Sequence, residues 1–173
     1  MGKIIFILGG VRSGKSNFAL KISQKQKNVL FVATAKPFDS EMKEKIKKHK
    51  KDRPKNIKTL EVVDTLFEIY KENFNTAIVD CLTLHVSNKI LNGIKDVEII
   101  SEIKKFLISM KDKNKNVIIV SNEVGCGIVP KNKLARRFRD ILGNVNQLVS
   151  AFADKVYYMT AGIPVQIKRR QND

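Results

Sequence analysis

The stretch that most constrains this chain is a short apolar segment that runs directly into a glycine-rich loop and then a helix. Residues 4–8 are all apolar, residues 9–16 read Gly-Gly-Val-Arg-Ser-Gly-Lys-Ser, and residues 17–24 have a helical pattern. The loop fits Gly-x-x-x-x-Gly-Lys-Ser, and a strand before it and a helix after it are the context in which this pattern binds phosphate. The sequence therefore predicts a phosphate-binding loop that holds a nucleoside triphosphate.

The residue types of this loop suit anion binding. Gly9 and Gly14 allow a tight turn in which successive N–H groups point into one concavity, and the next helix adds its positive N-terminal end. Lys15 reaches the β- and γ-phosphates, and the Ser16 hydroxyl is placed to bind Mg²⁺. A turn that only joins a strand to a helix is the alternative, but the spacing, the lysine and the serine together argue against it.

Apolar runs alternate with helical patterns along the chain, which is typical of βαβ units and a parallel sheet. The predicted strands are residues 4–8, 29–33, 59–63, 76–80, 117–120, 156–159 and 163–167. The predicted helices are residues 17–24, 41–51, 64–70 with Asp64 as its cap, 82–91, 97–112, and a long apolar stripe from 134 to 152. A chain of 173 residues has room for one domain. We predict one α/β domain over residues 1–173, of the P-loop NTPase type (RecA-like), with a mainly parallel sheet flanked by helices.

Several polar residues follow predicted strands. Ligands of open parallel sheets bind at the carboxyl ends of the strands, so residues 9–16, 34–36, 80 and 122–123 should line one crevice. Asp80 ends an apolar strand, where a nucleotide-hydrolysing or kinase fold keeps a carboxylate that helps to hold Mg²⁺. Asp is also a good helix cap, which is the alternative role; beside the phosphate loop, the Mg²⁺ role is favoured.

The chain contains two histidines. His49 falls on the apolar stripe of its predicted helix with Met42 and Ile46, and Arg53 follows one turn later. Because imidazole is unprotonated over much of the neutral range, an inward histidine beside an arginine is a candidate nucleophile or general base. Histidines on apolar faces are usually satisfied core residues, and the pattern alone favours that role. His85, which follows another strand end, is a weaker candidate.

A large part of the formal net charge of +16 lies in one segment. Between Lys43 and Lys58 there are nine basic and two acidic residues. Such a segment would attract nucleic acid or a polyphosphate substrate. Alternatively, these lysines lie on solvated helix faces and need no partner, which is the explanation that we favour for most of the lysines. A P-loop ATPase acting on nucleic acid would also carry aromatic residues for base stacking. None occurs between residues 39 and 66, so we predict no nucleic-acid partner.

Cysteine usage and hydropathy indicate a compartment. Two cysteines, Cys81 and Cys126, do not form a disulfide framework and suit a reducing cytoplasm. No apolar run approaches the roughly 18 residues of a membrane span, and the first apolar run is too short for a signal peptide. We predict a cytoplasmic protein without a membrane span.

Three blocks of the sequence resemble one known enzyme family. The first is the loop at residues 9–16. The second joins Ala-Thr-Ala at residues 33–35 with Asp-x-Glu-Met at residues 39–42 and His-x-x-x-Arg-Pro at residues 49–54. The third begins with Ser-Asn-Glu-Val-Gly-Cys-Gly-Ile-Val-Pro at residue 121 and ends with Gly-x-x-Asn-Gln at residue 147. Together they are similar to the bifunctional adenosylcobinamide kinases and adenosylcobinamide-phosphate guanylyltransferases of cobalamin assembly, over nearly the whole chain.

The resemblance implies two reactions. In the first, the aminopropanol hydroxyl of adenosylcobinamide takes the γ-phosphoryl group of ATP or GTP. In the second, a histidine attacks the α-phosphorus of GTP, releases pyrophosphate and passes the bound GMP to adenosylcobinamide phosphate. Covalent catalysis of this kind splits one nucleotidyl transfer into two displacements. Retention of only one of the two activities is an alternative that the sequence does not separate.

The resemblance also implies the site residues and the assembly. His49 matches the position of the GMP-histidine intermediate, Lys15 is the second catalytic residue, and Ser16 and Asp80 hold Mg²⁺. Family members are homotrimers, so a homotrimer is implied here. The positions that match nucleotide contacts of the family are Gly9, Gly10, Val11, Arg12, Ser13, Gly14, Lys15, Ser16, Thr34, Ala35, Lys36, Lys50, Lys51, Asp52, Arg53, Glu61 and Asp80.

Overall fold

A seven-stranded sheet is the framework of this chain in a computed structural model that describes residues 1–36, Glu44 and 57–169. The strands are β1 (Ile4–Gly9), β2 (Val29–Ala33), β3 (Lys58–Glu61), β4 (Thr76–Asp80), β5 (Asn116–Val120), β6 (Lys155–Thr160) and β7 (Ile163–Arg169). The helices of the described residues are α1 (Lys15–Ser23), α2 (Leu82–Leu91), α3 (Asp96–Asp112), α4 (Lys133–Phe152) and a 3-10 helix (Leu66–Lys71).

The strand order is β3-β2-β4-β5-β1-β6-β7. Every pairing is parallel except the last, in which β7 runs antiparallel to β6. Strands of a parallel sheet are buried on both faces because the crossover helices cover them, and this is why β1, β4 and β5 read as continuous apolar runs. The predicted α/β fold with a mainly parallel sheet is confirmed.

The core lies on both faces of the sheet. Neighbouring strand residues point to opposite faces, so Phe6 belongs to the larger core cluster, which includes Leu82 of α2 and Leu142 of α4. Ile7 belongs to the smaller cluster, which includes Ala19 of α1. α1 therefore covers one face, and α2, α3 and α4 cover the other.

The predicted strands and most predicted helices match the observed ones within two residues at each end. The short helix predicted after β3 is present as the 3-10 helix, but its predicted cap was wrong. The N-cap is Thr65 rather than Asp64, and Thr65 Oγ1 accepts a hydrogen bond from the Phe67 N–H at 3.4 Å. The predicted helix over residues 41–51 lies outside the described residues except for Glu44.

No helix in the described ranges is long and apolar enough to cross a membrane.

Candidate active site

The loop between β1 and α1 is closed by its own lysine. Lys15 Nζ donates hydrogen bonds to the Gly10 carbonyl at 2.5 Å and to Ser13 Oγ at 3.4 Å. Gly9 and Gly14 have φ of 149° and 94°, values that side-chain-bearing residues rarely adopt. A Cβ on Gly9 would lie 2.4 Å from the Met159 carbonyl oxygen. The loop therefore requires glycine at this position.

The Lys15 ammonium is buried against its own loop. Only 7% of the residue is exposed. Burial lowers its pKa below the ordinary value, and the neighbouring Cys81 and Asp80 side chains only partly offset this effect. A cation that has lost hydration gains by contact with an anion, so an anion that entered the loop would be stabilised by this lysine.

The strand ends meet at one edge of the sheet, as parallel pairing requires. Ala33 of β2 lies opposite both Glu61 of β3 and Asp80 of β4. The Thr34 N–H donates to the Asp80 carbonyl at 3.4 Å, and the Glu123 N–H donates to the Gly9 carbonyl at 3.1 Å. The structure thus brings the described parts of the predicted crevice to a common edge.

Glu61 marks the far end of this edge. It lies on β3, four strand spacings from Gly9 on β1 in the strand order. At about 4.8 Å a spacing, this is about 19 Å along the edge. A nucleotide whose phosphates lie in the loop therefore needs an extended arrangement to reach Glu61.

Thr34 is tied to the neighbouring strand end. It is fully buried, and its Oγ1 donates to the Cys81 carbonyl at 2.6 Å and accepts from the Cys81 N–H at 2.9 Å. Asn88 Nδ2 of α2 donates to the Thr34 carbonyl at 2.9 Å. The Thr34 hydroxyl is therefore engaged in joining β2 to β4. Of its neighbours, Ala35 is half-buried and Lys36 is exposed.

Asp80 does not cap the following helix. The N-cap of α2 is Cys81, whose side chain makes no capping hydrogen bond. The Asp80 carboxylate instead contributes to the electrostatic field at Lys15. The capping alternative for Asp80 is therefore wrong, and the carboxylate lies near the loop.

Comparison with known proteins decides the family. The family model described as cobinamide kinase / cobinamide phosphate guanyltransferase matches residues 5–167. The chain belongs to this family. The resemblance of the three sequence blocks and the transferase class are confirmed.

Individual relatives match over nearly their full length. The bifunctional adenosylcobalamin biosynthesis protein CobU of Salmonella typhimurium is 38% identical over 180 residues, which cover 95% of this chain and 99% of the relative. The Escherichia coli protein of the same name is 36% identical with the same coverage. The bifunctional protein CobP of Pseudomonas aeruginosa is 33% identical over 166 residues, 94% of this chain and 95% of the relative.

The donor set of this cobinamide kinase / guanyltransferase family member fits Mg²⁺ at the loop. Ser16 lies in the first turn of α1, and Asp80 lies near Lys15. Mg²⁺ usually takes one or two carboxylates together with phosphate oxygens and water. Within the described ranges no group of three or more His, Cys, Asp and Glu side chains could hold a metal. Ser16 and Asp80 are the residues that would hold the ion.

A buried polar network behind the loop was missed by sequence reasoning. Ser121 Oγ donates to Asn146 Oδ1 at 2.8 Å, and Thr83 Oγ1 lies 3.2 Å from Ser121 Oγ. The Asn122 N–H donates to Thr83 Oγ1 at 2.7 Å, and Asn146 Nδ2 donates to the Asn122 carbonyl at 3.1 Å. Asn146 belongs to the third family block, which was a signal for its importance without indicating its role.

The structure describes one of the two histidines, His85, and not the other, His49. His85 is fully buried, and its Nε2 lies 3.5 Å from Glu102 Oε1 of α3, so it packs within the helical layer. His49 and the predicted nucleotide contacts Lys50, Lys51, Asp52 and Arg53 lie outside the described residues, and their roles stay predictions.

Cys81, which directly follows Asp80, is not a candidate nucleophile. Burial and the adjacent Asp80 raise the pKa of the Cys81 thiol to about 12. The thiol is therefore protonated at neutral pH, and thiols react as thiolates.

Proposed function

We propose that this chain is an adenosylcobinamide kinase and an adenosylcobinamide-phosphate guanylyltransferase that keeps both activities. The observation that carries the proposal is a self-closed phosphate loop, with a buried Lys15 and a nearby Asp80, in a chain that matches the family over residues 5–167. ATP or GTP, adenosylcobinamide and adenosylcobinamide phosphate are then its substrates.

The kinase reaction uses the loop as an anion cradle. The loop N–H groups and Lys15 bind the β- and γ-phosphates and stabilise the charge that shifts to the leaving oxygen. Mg²⁺ held by Ser16 and Asp80 would neutralise part of the triphosphate charge. The aminopropanol oxygen bonds to the γ-phosphorus, and the bond from this phosphorus to the bridging oxygen breaks.

The guanylyl transfer uses His49. Its ring nitrogen bonds to the α-phosphorus of GTP, and pyrophosphate leaves with the electrons of the broken P–O bond. A phosphate oxygen of adenosylcobinamide phosphate then attacks the same phosphorus and releases the histidine. Arg53 and the nearby lysines 50 and 51 supply positive charge for the departing pyrophosphate.

The deciding experiment for the second activity is incubation with GTP labelled at the α-phosphate, followed by denaturing electrophoresis. Wild-type protein should carry acid-labile label, and His49→Ala should carry none. Lys48→Ala is the matched control because a lysine can also form an acid-labile phosphoramidate. Label that persists in His49→Ala would contradict the assignment.

The kinase activity is tested separately with γ-labelled ATP or GTP and adenosylcobinamide. Transfer of label to the corrinoid is expected, and Asp80→Asn should raise the Mg²⁺ concentration needed for half-maximal rate. An unchanged Mg²⁺ dependence in Asp80→Asn would refute the metal role. Self-labelling without corrinoid phosphorylation would reduce the function to a guanylyltransferase.

The proposal includes a homotrimer in the cytoplasm. The apolar side chains of the edge strand β7 support self-association: Ile163, Val165 and Ile167 alternate along it and are 62%, 47% and 60% exposed. Exposed apolar edge strands of this kind favour pairing with another chain. Light scattering should give three times the 19.6 kDa chain mass, and Val165→Lys should lower it. A wild-type monomer would exclude this assembly.

A further inference from the structure

A second carboxylate stands beside the phosphate loop, and the two reactions described so far give it no role. The N–H of Glu123 donates to the Gly9 carbonyl at 3.1 Å, so its backbone contacts the first residue of the loop. Glu123 follows β5, the strand that lies between β1 and β4 in the sheet. The residue therefore emerges between the loop on one side and Asp80 on the other.

The backbone of this turn is held from three sides. Thr83 at the start of α2 accepts from the Asn122 N–H, and Asn146 of α4 donates to the Asn122 carbonyl. Gly9 accepts from the next N–H, that of Glu123. Thr83 and Asn146 are each only 5% exposed, and buried hydrogen bonds of this kind hold a segment in one position. The Cα of Glu123 is thus fixed relative to the loop.

The carboxylate itself is also oriented. Its Oε1 accepts a hydrogen bond from the Gly125 N–H at 2.6 Å, and the side chain is half-buried. Within the described part of the chain, Oε2 has no hydrogen-bond partner. One oxygen therefore fixes the direction of the group, and the other is available to accept a proton.

We propose that Glu123 is the general base of the kinase reaction, an assignment that rests on the proposed kinase function. The proton of the acceptor hydroxyl passes to Glu123 Oε2 as the acceptor oxygen bonds to the γ-phosphorus. The bond between the γ-phosphorus and the bridging oxygen breaks, and the nucleoside diphosphate leaves with that electron pair. Glu123 then releases the proton to solvent.

Asp80 is less suited to this task. The Asp80 carboxylate interacts with the Lys15 ammonium and belongs to the proposed Mg²⁺ site. A carboxylate next to a cation is a weak base. Glu123 follows β5, which is the neighbour of β4 in the sheet, so it lies one strand position from Asp80 and next to the loop.

The experiment compares Glu123→Gln with the wild type in both half-reactions. Glutamine keeps the shape and the acceptor for the Gly125 N–H but cannot take a proton at neutral pH. The kcat for corrinoid phosphorylation should fall by about 10²- to 10⁴-fold, the usual contribution of a general base, with KM for the nucleotide within about 3-fold. Labelling of the protein by α-labelled GTP should be unchanged, because that step deprotonates no acceptor hydroxyl.

Two further variants complete the test. Glu98→Gln, an exposed position on α3, is the matched charge control and should leave both reactions unchanged. Glu123→Asp keeps a carboxylate and should retain more kinase activity than Glu123→Gln. A kcat for Glu123→Gln within about 5-fold of wild type, or equal loss of both half-reactions, would overturn the role. A wild-type protein that does not phosphorylate the acceptor would overturn the kinase function together with it.

Discussion

Neutralising Glu102 on α3 should destabilise the protein in a pH-dependent way. Glu102 Oε2 lies 2.5 Å from Lys89 Nζ, and the two side chains are 17% and 14% exposed. The fully buried His85 ring lies at 3.5 Å from the other oxygen. Burial opposes ionisation of Glu102, but His85 and Lys89 outweigh it and lower the pKa from 4.5 to about 2. The Glu102→Gln variant removes this charge and nearly preserves the shape.

The magnitude follows from the pKa change. A lowering from 4.5 to about 2 corresponds to about 3 kcal/mol, since one pKa unit is worth roughly 1.4 kcal/mol. Water still reaches part of the cluster, so the effect should lie between that of an exposed pair, below about 1 kcal/mol, and that of a broken buried pair, about 3–5 kcal/mol. We expect a loss of about 2 kcal/mol in the free energy of unfolding at neutral pH.

The sign of the pH dependence is set by the direction of the pKa change. Because the folded pKa lies below the unfolded one, the stabilisation is complete above 4.5 and is lost as the pH falls toward about 2. The difference between wild type and Glu102→Gln should be constant from about pH 8 to about pH 5 and should then shrink.

Urea unfolding followed by circular dichroism at each pH measures this difference. Glu98→Gln on the same helix is the control, since Glu98 is exposed, and should change stability by less than about 0.5 kcal/mol. A loss below about 0.5 kcal/mol for Glu102→Gln at neutral pH, or a difference that stays constant on acidification, would refute the reasoning.

Three further predictions concern the loop and its surroundings. Gly9→Ala places a Cβ 2.4 Å from a backbone oxygen of β6, so it should destabilise the fold by about 1–3 kcal/mol and abolish the nucleotide binding that calorimetry measures. Gly143→Ala is the control: its Cβ would meet no neighbouring atom within 4 Å, and neither effect is expected. Asn146→Leu leaves buried polar groups unpaired and should cost about 1–3 kcal/mol in chemical denaturation; no loss would mean that the network is not stabilising. Iodoacetamide at about pH 8 should modify the exposed Cys126 and spare Cys81, whose pKa is about 12; mass spectrometry that finds Cys81 alkylated first would contradict this.

The local elements could be predicted because their signals are local. β4 and β5 are buried on both faces, so each reads as an unbroken apolar run, and α4 shows its buried stripe at helical spacing. The cap after β3 could not be predicted in this way. Asp64 and Thr65 are both suitable cap residues, and the choice depends on which of them has extended backbone where the chain turns.

The candidate site also has parts that local sequence patterns predict and parts that they do not. The loop residues and Asp80 were predictable because each follows an apolar strand directly. His85 was a weak candidate for a chemical role, but in the structure it packs against Glu102 of another helix. A contact between two helices cannot be read from the periodicity of either one. The structural role of His85 therefore became visible only in the tertiary packing.

The amino-acid sequence by itself determined the glycine-rich loop between a strand and a helix, the alternation of strands and helices, and the family, since these depend on residue types at fixed spacing. Only the tertiary structure decided that β5 lies between β1 and β4. That order places Glu123 beside Gly9 and joins Thr83 to Ser121 across 38 residues of sequence. Strand order is set by how the helices pack on the whole sheet, because each parallel strand satisfies its hydrogen bonds with any neighbour of matching length.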